Sequence, residues 1–134
     1  MIISKTPYRI SFFGGGSDYP SWYTQNGGEV ISATINKYLY ISIRELPKFF
    51  KHNYRISYSK IEEVKTINQI KHKVVKHALL NYRIKKNLEI HYDGDMPSRS
   101  GMGSSSCFIV GLINALYSFN KKQTNKDRKS TRLN

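Results

Sequence analysis

The chain has 134 residues and a net charge of +13, and 39% of its residues are apolar, which suits one globular domain with a modest core. It has no apolar run of about 18 residues, which would predict a transmembrane helix, and its start lacks the pattern of a signal peptide. These features, and a single cysteine that cannot form an internal disulfide, predict a cytoplasmic protein that does not bind a membrane.

The basic residues are scattered among apolar ones, without a dense Lys/Arg block, apart from the last fourteen residues. We therefore interpret the positive charge as a solvated surface and expect no nucleic-acid partner. A positive field nevertheless attracts anionic substrates such as nucleotides and sugar phosphates.

The chain begins with a predicted strand that leads into a glycine-rich loop. Residues 2–13 alternate apolar and polar side chains, and Pro7 predicts an edge position or a bulge. The loop Gly14-Gly15-Gly16-Ser17-Asp18 follows. Asp18 is able to accept hydrogen bonds from ligand hydroxyls, and Ser17 to donate or accept one. An equally good interpretation is a surface turn in which Asp18 caps a helix at residues 20–25.

The next elements are predicted from turn-forming residues and from the periodicity of apolar side chains. Residues 21–25 form a short helix that ends at Gly27 and Gly28. Two strands follow at 29–35 and 38–43, and we expect a tight hairpin at Asn36-Lys37 between them.

The middle of the chain mixes strand and helix patterns. We predict a strand through Tyr54, Ile56 and Tyr58, a short helix at residues 61–64, a helix within 71–82 and a strand at 88–92. His72 and His77 are five positions apart and do not share a helix face, so we interpret both as surface residues and not as metal ligands. Asp93 and Asp95 are able to hold a metal but read better as residues of a turn at Asp93-Gly94.

A turn of small residues, 97–106, joins that strand to a helix that is apolar on nearly all sides and is therefore expected to be mostly buried. Gly101 and Gly103 allow close approach of a ligand. The unpaired N–H groups at the helix start favour a phosphate, and the serine hydroxyls add partners for phosphate or Mg²⁺. The Gly-Lys-Ser/Thr of a P-loop and the G-x-G-x-x-G spacing are both absent. A plain glycine turn with a serine cap is the alternative, but it explains poorly three serines after two spaced glycines.

Two stretches together resemble one family, the GHMP small-molecule kinases. Residues 97–106 resemble its P-x-x-x-G-L-G-S-S-A signature, with Met102 in place of the usual Leu and Ser106 in place of a frequent Ala. Residues 6–20 resemble its amino-terminal sugar motif, in the form found in the branch that phosphorylates D-glycero-D-manno-heptose 7-phosphate. The resemblance covers residues 1–126, and we expect these to form the ATP- and sugar-binding domain, incomplete at its carboxyl side. Residues 127–134 read as a tail foreign to that domain.

The resemblance implies an α+β fold like domain 2 of ribosomal protein S5, with a mixed, antiparallel-rich sheet and helices on one face. It also implies a sugar kinase that uses ATP and Mg²⁺, with Ser105 near the metal. The acceptor would be the anomeric hydroxyl of the heptose phosphate, a step towards nucleotide-activated heptose for surface polysaccharide. The residues implied for the ATP phosphates are Pro97, Ser98, Arg99, Ser100, Gly101, Met102, Gly103, Ser104, Ser105 and Ser106, and those implied for the sugar are Arg9, Gly15, Gly16, Ser17, Asp18 and Tyr19.

The family's catalytic Asp lies downstream of the serine motif and is expected beyond residue 134, so we predict that this chain alone is inactive and poorly soluble. Two other functions stay open. One is a non-catalytic S5-like module that binds RNA through its basic surface. The other is a kinase of the same family for fucose or galactose, because acceptor choice depends on a few pocket contacts.

Overall fold

The computed structural model describes the backbone of residues 1–132 and the side chains of residues 1–122 and 125. Five strands form one sheet in the order β1-β2-β5-β3-β4, in which β3 and β5 run parallel and every other neighbouring pair runs antiparallel. The strands are β1 Ile2–Phe13, β2 Ile31–Glu45, β3 Tyr54–Ser57, β4 Ile61–Val64 and β5 Leu88–Gly94. The helices are α1 Pro20–Asn26, α2 Lys73–Asn81 and α3 Ser104–Arg132, with a 3₁₀ helix at Ile67–Gln69.

The core lies between the sheet and α3, which packs on β1 and β2 and also contacts α2. Alternate residues of β2 are fully buried, at Leu39, Ile41 and Ile43, and α3 buries Leu112 and Leu116 on the facing side. Each such side chain contributes about 1.5–3 kcal/mol when it leaves water. This arrangement confirms the predicted α+β fold with a mixed, antiparallel-rich sheet.

The opposite face of the sheet carries a row of alternating charges across four strands. Arg44 on β2 is registered with Glu89 on β5, Glu89 with Arg55 on β3, and Arg55 with Glu63 on β4. Glu89 forms ion pairs with Arg44 and with Arg55, and Arg55 also lies 3.7 Å from Glu63. We call these four residues the charge row.

Several predicted elements are confirmed. The first strand, the short helix after the glycine loop, the helix within residues 71–82 and the strand at 88–92 all form. Gly27 ends α1 with a φ of 70° and donates its amide to the Tyr23 carbonyl. Pro7 lies in an edge strand, directly before a register shift.

The hairpin predicted at Asn36-Lys37 is wrong, because β2 is one strand of 15 residues. Pro7 pairs with Tyr38 and Arg9 with Thr34, so Tyr8 alone faces three residues of β2, Ile35 to Lys37. The polar pair therefore lies in a bulge, which also interrupts apolar alternation and so resembles a turn in sequence.

Three further expectations are corrected. Residues 61–64 form a strand and not a helix, because β4 pairs with β3 along its whole length. Asp93 and Gly94 belong to β5 and not to a turn. The helix after the serine turn is not buried on most sides, since Ile109, Val110, Ile113 and Tyr117 are exposed.

None of the described helices is long and apolar enough to cross a membrane. The predicted foreign tail, residues 127–134, lies partly outside the described residues, and it stays a prediction.

Candidate functional site

The turn between β5 and α3 has the geometry of an anion cradle. Three of its residues adopt positive φ angles, namely Arg99 at 63°, Gly101 at 75° and Gly103 at 72°. α3 begins at Ser104, and the first recorded bond of the helix runs from the Cys107 amide to the Gly103 carbonyl. The amides that precede Cys107 in the helix have no acceptor within it and are available to a phosphate.

The serine turn is held against the first two strands. The Arg9 amide donates to the Met102 carbonyl at 3.2 Å, and the Cys107 thiol donates to the Pro7 carbonyl at 3.1 Å. On β2, the Tyr38 amide donates to the Asp95 carboxylate at 2.8 Å, and the Asp95 amide donates back to the Tyr38 carbonyl at 3.0 Å. Asp95 is thus a structural anchor of the turn.

One polar atom in the turn suggests that a ligand belongs there. The Ser100 hydroxyl oxygen is buried, and none of the described residues forms a hydrogen bond with it. A buried hydroxyl normally has a partner. Gly101 has open space on its Cβ side, and Ser105 and Ser106 are exposed. These residues fit a phosphate group.

A cleft of about 480 Å³ opens beside the serine turn. Its polar end includes Ser98, Ser104, Ser105 and Asp93. Its other wall is aromatic: His72 lies between Tyr58 and Phe108, with ring centroids 4.9 and 5.1 Å apart, and Tyr92 lies 5.7 Å from Phe108. We call these four residues the aromatic wall: Tyr58, His72, Tyr92 and Phe108.

The carboxylate of Glu62 connects three parts of this wall. It accepts hydrogen bonds from the Lys71 amide at 2.7 Å, the His72 amide at 3.1 Å and the Tyr58 hydroxyl at 2.9 Å. Burial by itself raises the pKa of Glu62, but these bonds outweigh burial, so its pKa lies below the usual value. Glu62 therefore stays ionised near neutral pH.

His72 caps α2, because its Nδ1 accepts a hydrogen bond from the Val75 amide at 3.4 Å. Burial lowers the pKa of His72 below its ordinary value, against the opposing effect of Glu62. A neutral ring whose Nδ1 accepts must carry its proton on Nε2. The interpretation of His72 as a surface residue is wrong, because it is half-buried and lines the cleft, whereas His77 is exposed as predicted.

The glycine loop is closed by its own hydrogen bonds. The Ser17 hydroxyl lies 2.7 Å from the Gly14 carbonyl and 3.0 Å from the Glu29 carbonyl, so it tethers the end of β1 to the segment before β2. The Gly16 amide donates to the Asp18 carboxylate at 3.0 Å. Asp18 does not cap α1, whose capping residue is Tyr19.

Glycine is required where this loop meets the segment before β2. A Cβ on Gly14 would overlap the Glu29 carbonyl oxygen, and one on Gly28 would overlap the Ser17 carbonyl oxygen. Gly15 and Gly16 instead face open space, and Asp18 and Tyr19 are exposed. The loop thus combines a rigid base with an accessible rim.

Arg9 is the predicted sugar residue that the structure brings to the serine turn. Besides its amide bond to Met102, its side chain runs past Gly103, where an added Cβ would lie 3.3 Å from Arg9 Cγ and Nε. The contacts of Ser17 and Asp18 lie within their own loop, with Gly14, Gly16 and Glu29. The two motifs are therefore linked through β1.

Sequence reasoning assigned no role to the aromatic wall or to Glu62. Tyr58 and Glu62 are only four residues apart, but His72, Tyr92 and Phe108 come from three other parts of the chain, and no local spacing joins all five. It also missed Tyr8, which is fully buried beside Arg9. Burial, reinforced by Tyr92, raises the pKa of Tyr8 to about 12.

Ser105 is the residue predicted to lie near a metal ion. Its hydroxyl lines the cleft together with the Asp93 carboxylate, whose nearest recorded partner is His91 at 3.1 Å. Among the described residues, no group of three or more His, Cys, Asp or Glu is arranged to hold a metal ion. Mg²⁺ in nucleotide sites takes only one or two protein ligands and otherwise binds phosphates and water, so a single hydroxyl fits this kind of site.

Comparison with known proteins gives a family match over half of the chain. The family described as GHMP kinases N terminal domain matches residues 64–132, which include the serine turn and α3. A curated relative, the D-glycero-alpha-D-manno-heptose 7-phosphate kinase of Campylobacter jejuni, is 29% identical over 123 residues. That match covers 85% of this chain and 36% of the relative.

Solved structures are similar over most of the chain. A D-glycero-D-manno-heptose 1-phosphate kinase from Bacteriodes thetaiotaomicron has a TM-score of 0.72 and 27% identity, over 86% of this chain and 40% of that one. A Methanococcus jannaschii mevalonate kinase has a TM-score of 0.65 at 22% identity, over 88% of this chain and 40% of that one, which bears on the fold alone. The chain thus spans about two fifths of the length of these relatives.

Proposed function

This chain belongs to the GHMP kinase family, and from that premise we propose that it is the amino-terminal part of an ATP-dependent sugar kinase. The observation that carries the proposal is the serine turn, with its positive φ angles, its free helix amides and the unpartnered Ser100 hydroxyl, at the end of a cleft. An anion cradle beside a cleft of this size suits a nucleotide.

In this proposal the phosphates of ATP lie along residues 97–106. The backbone amides at the start of α3 and the Ser104 hydroxyl bind phosphate oxygens, and Ser105 holds Mg²⁺. When bound, Mg²⁺ would neutralise negative charge on the phosphoryl group that is transferred and on the ADP that leaves. The aromatic wall receives the base, since flat rings stack on aromatic side chains.

The acceptor we propose is D-glycero-D-manno-heptose 7-phosphate, phosphorylated on its anomeric hydroxyl. Support comes from the sugar motif and from the similarity to the Campylobacter jejuni heptose 7-phosphate kinase. Asp18 binds sugar hydroxyls through the accessible rim of the glycine loop, together with Gly15, Gly16 and Tyr19. Ser17 holds the loop in shape, and Arg9 lies between the two ligands.

Catalysis in such a transfer comes mainly from positioning and charge neutralisation. The chain supplies the cradle, the cleft and the cation of Arg9. We assign no residue of this chain to the carboxylate that takes the proton of the attacking hydroxyl.

The experiment measures phosphate transfer from ATP by the full-length protein with four acceptors: heptose 7-phosphate, heptose 1-phosphate, galactose and fucose. We expect heptose 7-phosphate to be preferred. Preference for heptose 1-phosphate, which the Bacteriodes thetaiotaomicron protein is named for, would change the acceptor but keep the reaction class. No transfer to any sugar, together with salt-sensitive RNA binding by the chain, would replace the kinase with the binding module.

The role of Asp18 is tested separately with Asp18→Ala in the full-length protein. We expect KM for the sugar to rise about tenfold or more, because the sugar loses a charged hydrogen-bond partner. The affinity for ATP should stay unchanged. Equal losses for both ligands would show that Asp18 serves the loop and not the sugar.

A further inference from the structure

We infer that Glu62 is a positioning residue for the nucleotide cleft, one that acts through Tyr58 and His72 without touching the ligand. The inference rests on the proposed function, since it assumes that the base of ATP lies against the aromatic wall.

The first step is the geometry of the carboxylate. One oxygen of Glu62 binds the Lys71 amide, and the other binds the His72 amide and the Tyr58 hydroxyl. These partners come from the residue that follows β3 and from the two residues that precede α2. A single side chain on β4 therefore fixes the spacing between two segments that have no strand pairing with each other.

The second step is what this spacing controls. His72 is the point where the wall and α2 meet, because its ring lies between Tyr58 and Phe108 while its Nδ1 caps α2. Both Tyr58 and His72 line the cleft, and so does Val74 in the first turn of α2. Without the carboxylate, the two amides and the hydroxyl lose a charged acceptor, and the wall loses its fixed shape.

The third step is a neighbour that offers a matched control. Glu63 is the next residue on β4 and belongs to the charge row. Its carboxylate lies on the opposite face of the sheet, near Arg55 and His52. It has the same chemistry and the same strand, and it has no contact with the aromatic wall.

The test uses the full-length protein and measures, by titration calorimetry, the affinity for MgATP and for inorganic tripolyphosphate. Tripolyphosphate engages the serine turn alone, whereas ATP also uses the wall. We expect Glu62→Ala to weaken ATP binding about tenfold and to leave tripolyphosphate binding unchanged. Glu63→Ala should change neither.

Two milder variants separate a loss of position of the aromatic wall from a loss of folding of the protein. Tyr58→Phe removes one hydrogen bond and keeps the ring, so we expect a loss of about threefold for ATP alone. Glu62→Gln keeps an acceptor on one side but turns an amide group towards an N–H on the other, so we expect an intermediate loss.

The outcomes distinguish the two ideas. If the unaltered full-length protein binds neither ligand, the proposed function is wrong. If it binds both, the inference is overturned when Glu62→Ala changes neither affinity, changes both equally, or matches Glu63→Ala.

Discussion

At the scale of single residues, the backbone angles of the serine turn distinguish it from an ordinary turn more clearly than its side chains do. Gly101 and Gly103 adopt positive φ without penalty, whereas Arg99 is in a region that costs an L-residue about 1–2 kcal/mol. Strain of this kind persists only where the surroundings hold it in place. Here the bond from Arg9 on β1 to Met102 in the turn, and the two bonds between Asp95 and Tyr38 on β2, supply that restraint.

Gly103→Ala tests how closely Arg9 and the turn depend on each other. The new Cβ meets a positive φ of 72° and lies 3.3 Å from Arg9 Cγ and Nε. We expect a loss of unfolding free energy of about 1–2 kcal/mol in urea and weaker tripolyphosphate binding, because Arg9 must move. Gly27→Ala, at the end of α1 and away from the serine turn, is the control, since its φ is 70° but its surroundings are open. This control variant should lose a similar amount of unfolding free energy and keep its affinity for tripolyphosphate. Equal affinities in the two variants would rule out a role for Arg9 in tripolyphosphate binding.

His72 makes stability depend on pH. Burial lowers its pKa, so the folded chain takes up the proton at lower pH than the unfolded chain. The stability of the neutral, capping form is fully present above about pH 6.5 and is lost as pH falls through the lower folded-state pKa. His72→Asn retains a capping oxygen and removes this titration.

The check on His72 is urea unfolding of both proteins at about pH 7.5 and about pH 5.5. We expect the parent to lose more stability than the variant between these values. The pKa of Glu62 is lowered, so Glu62 takes up its proton below this pH range in the parent and in the variant. It therefore does not contribute to the difference between the two proteins. An identical loss in the two proteins would contradict the assignment.

At the scale of elements, sequence reasoning succeeded where a pattern was local. The strand at 88–92 and the helix within 71–82 follow from the spacing of Leu88 and Ile90 and of Val75 and Leu79, all of which are buried. It failed where a distant strand decides the outcome. Residues 61–64 become a strand because β3 is beside them, and Asn36-Lys37 become a bulge because Tyr8 lies opposite.

The charge row predicts a measurable electrostatic contribution to sheet stability. Glu89 is the central member, with a side chain 16% exposed between two arginines. We expect Glu89→Gln to lower the unfolding free energy by about 1 kcal/mol at low salt and by less in about 1 M NaCl.

The control for Glu89 is Glu45→Gln. Glu45 is 49% exposed and its pair with Lys86 is long, at 4.0 Å, so its loss should be near zero. A change at Glu45 as large as that at Glu89 would mean that net charge, and not the row, is responsible.

At the scale of the whole molecule, the surface carries apolar area that a single chain leaves uncovered. Ile109, Ile113 and Tyr117 form a stripe along α3 and are 41%, 42% and 60% exposed. Their spacing of four residues places them on one side of the helix. Contiguous exposed apolar surface of this kind marks an interaction face.

We therefore predict that the purified chain self-associates as its concentration rises, as measured by sedimentation velocity. Ile113→Glu should shift it towards monomer. Asn114→Glu adds the same charge without removing apolar area, and it should associate like the parent. A monodisperse parent that melts cooperatively would contradict the prediction.

The family and the two glycine-containing turns could be predicted from sequence because each motif is contiguous, as at Gly101-Met102-Gly103-Ser104. The cleft could not, because Tyr58, His72, Tyr92 and Phe108 are brought together only by the completed sheet and α3. The proposed sugar acceptor has the same difficulty, because acceptor choice depends on a few pocket contacts that one motif does not specify.

The strand order has a consequence for how the chain acquires its structure during synthesis. β5 lies between β2 and β3, so it joins two earlier units, the β1–β2 pair and the β3–β4 hairpin. Until residues 88–94 leave the ribosome, these units have no shared strand, and the buried side of the β1–β2 pair lacks α3. Until then, the nascent chain must keep both units apart from other chains, and β5 converts two separate pieces into one cooperative domain.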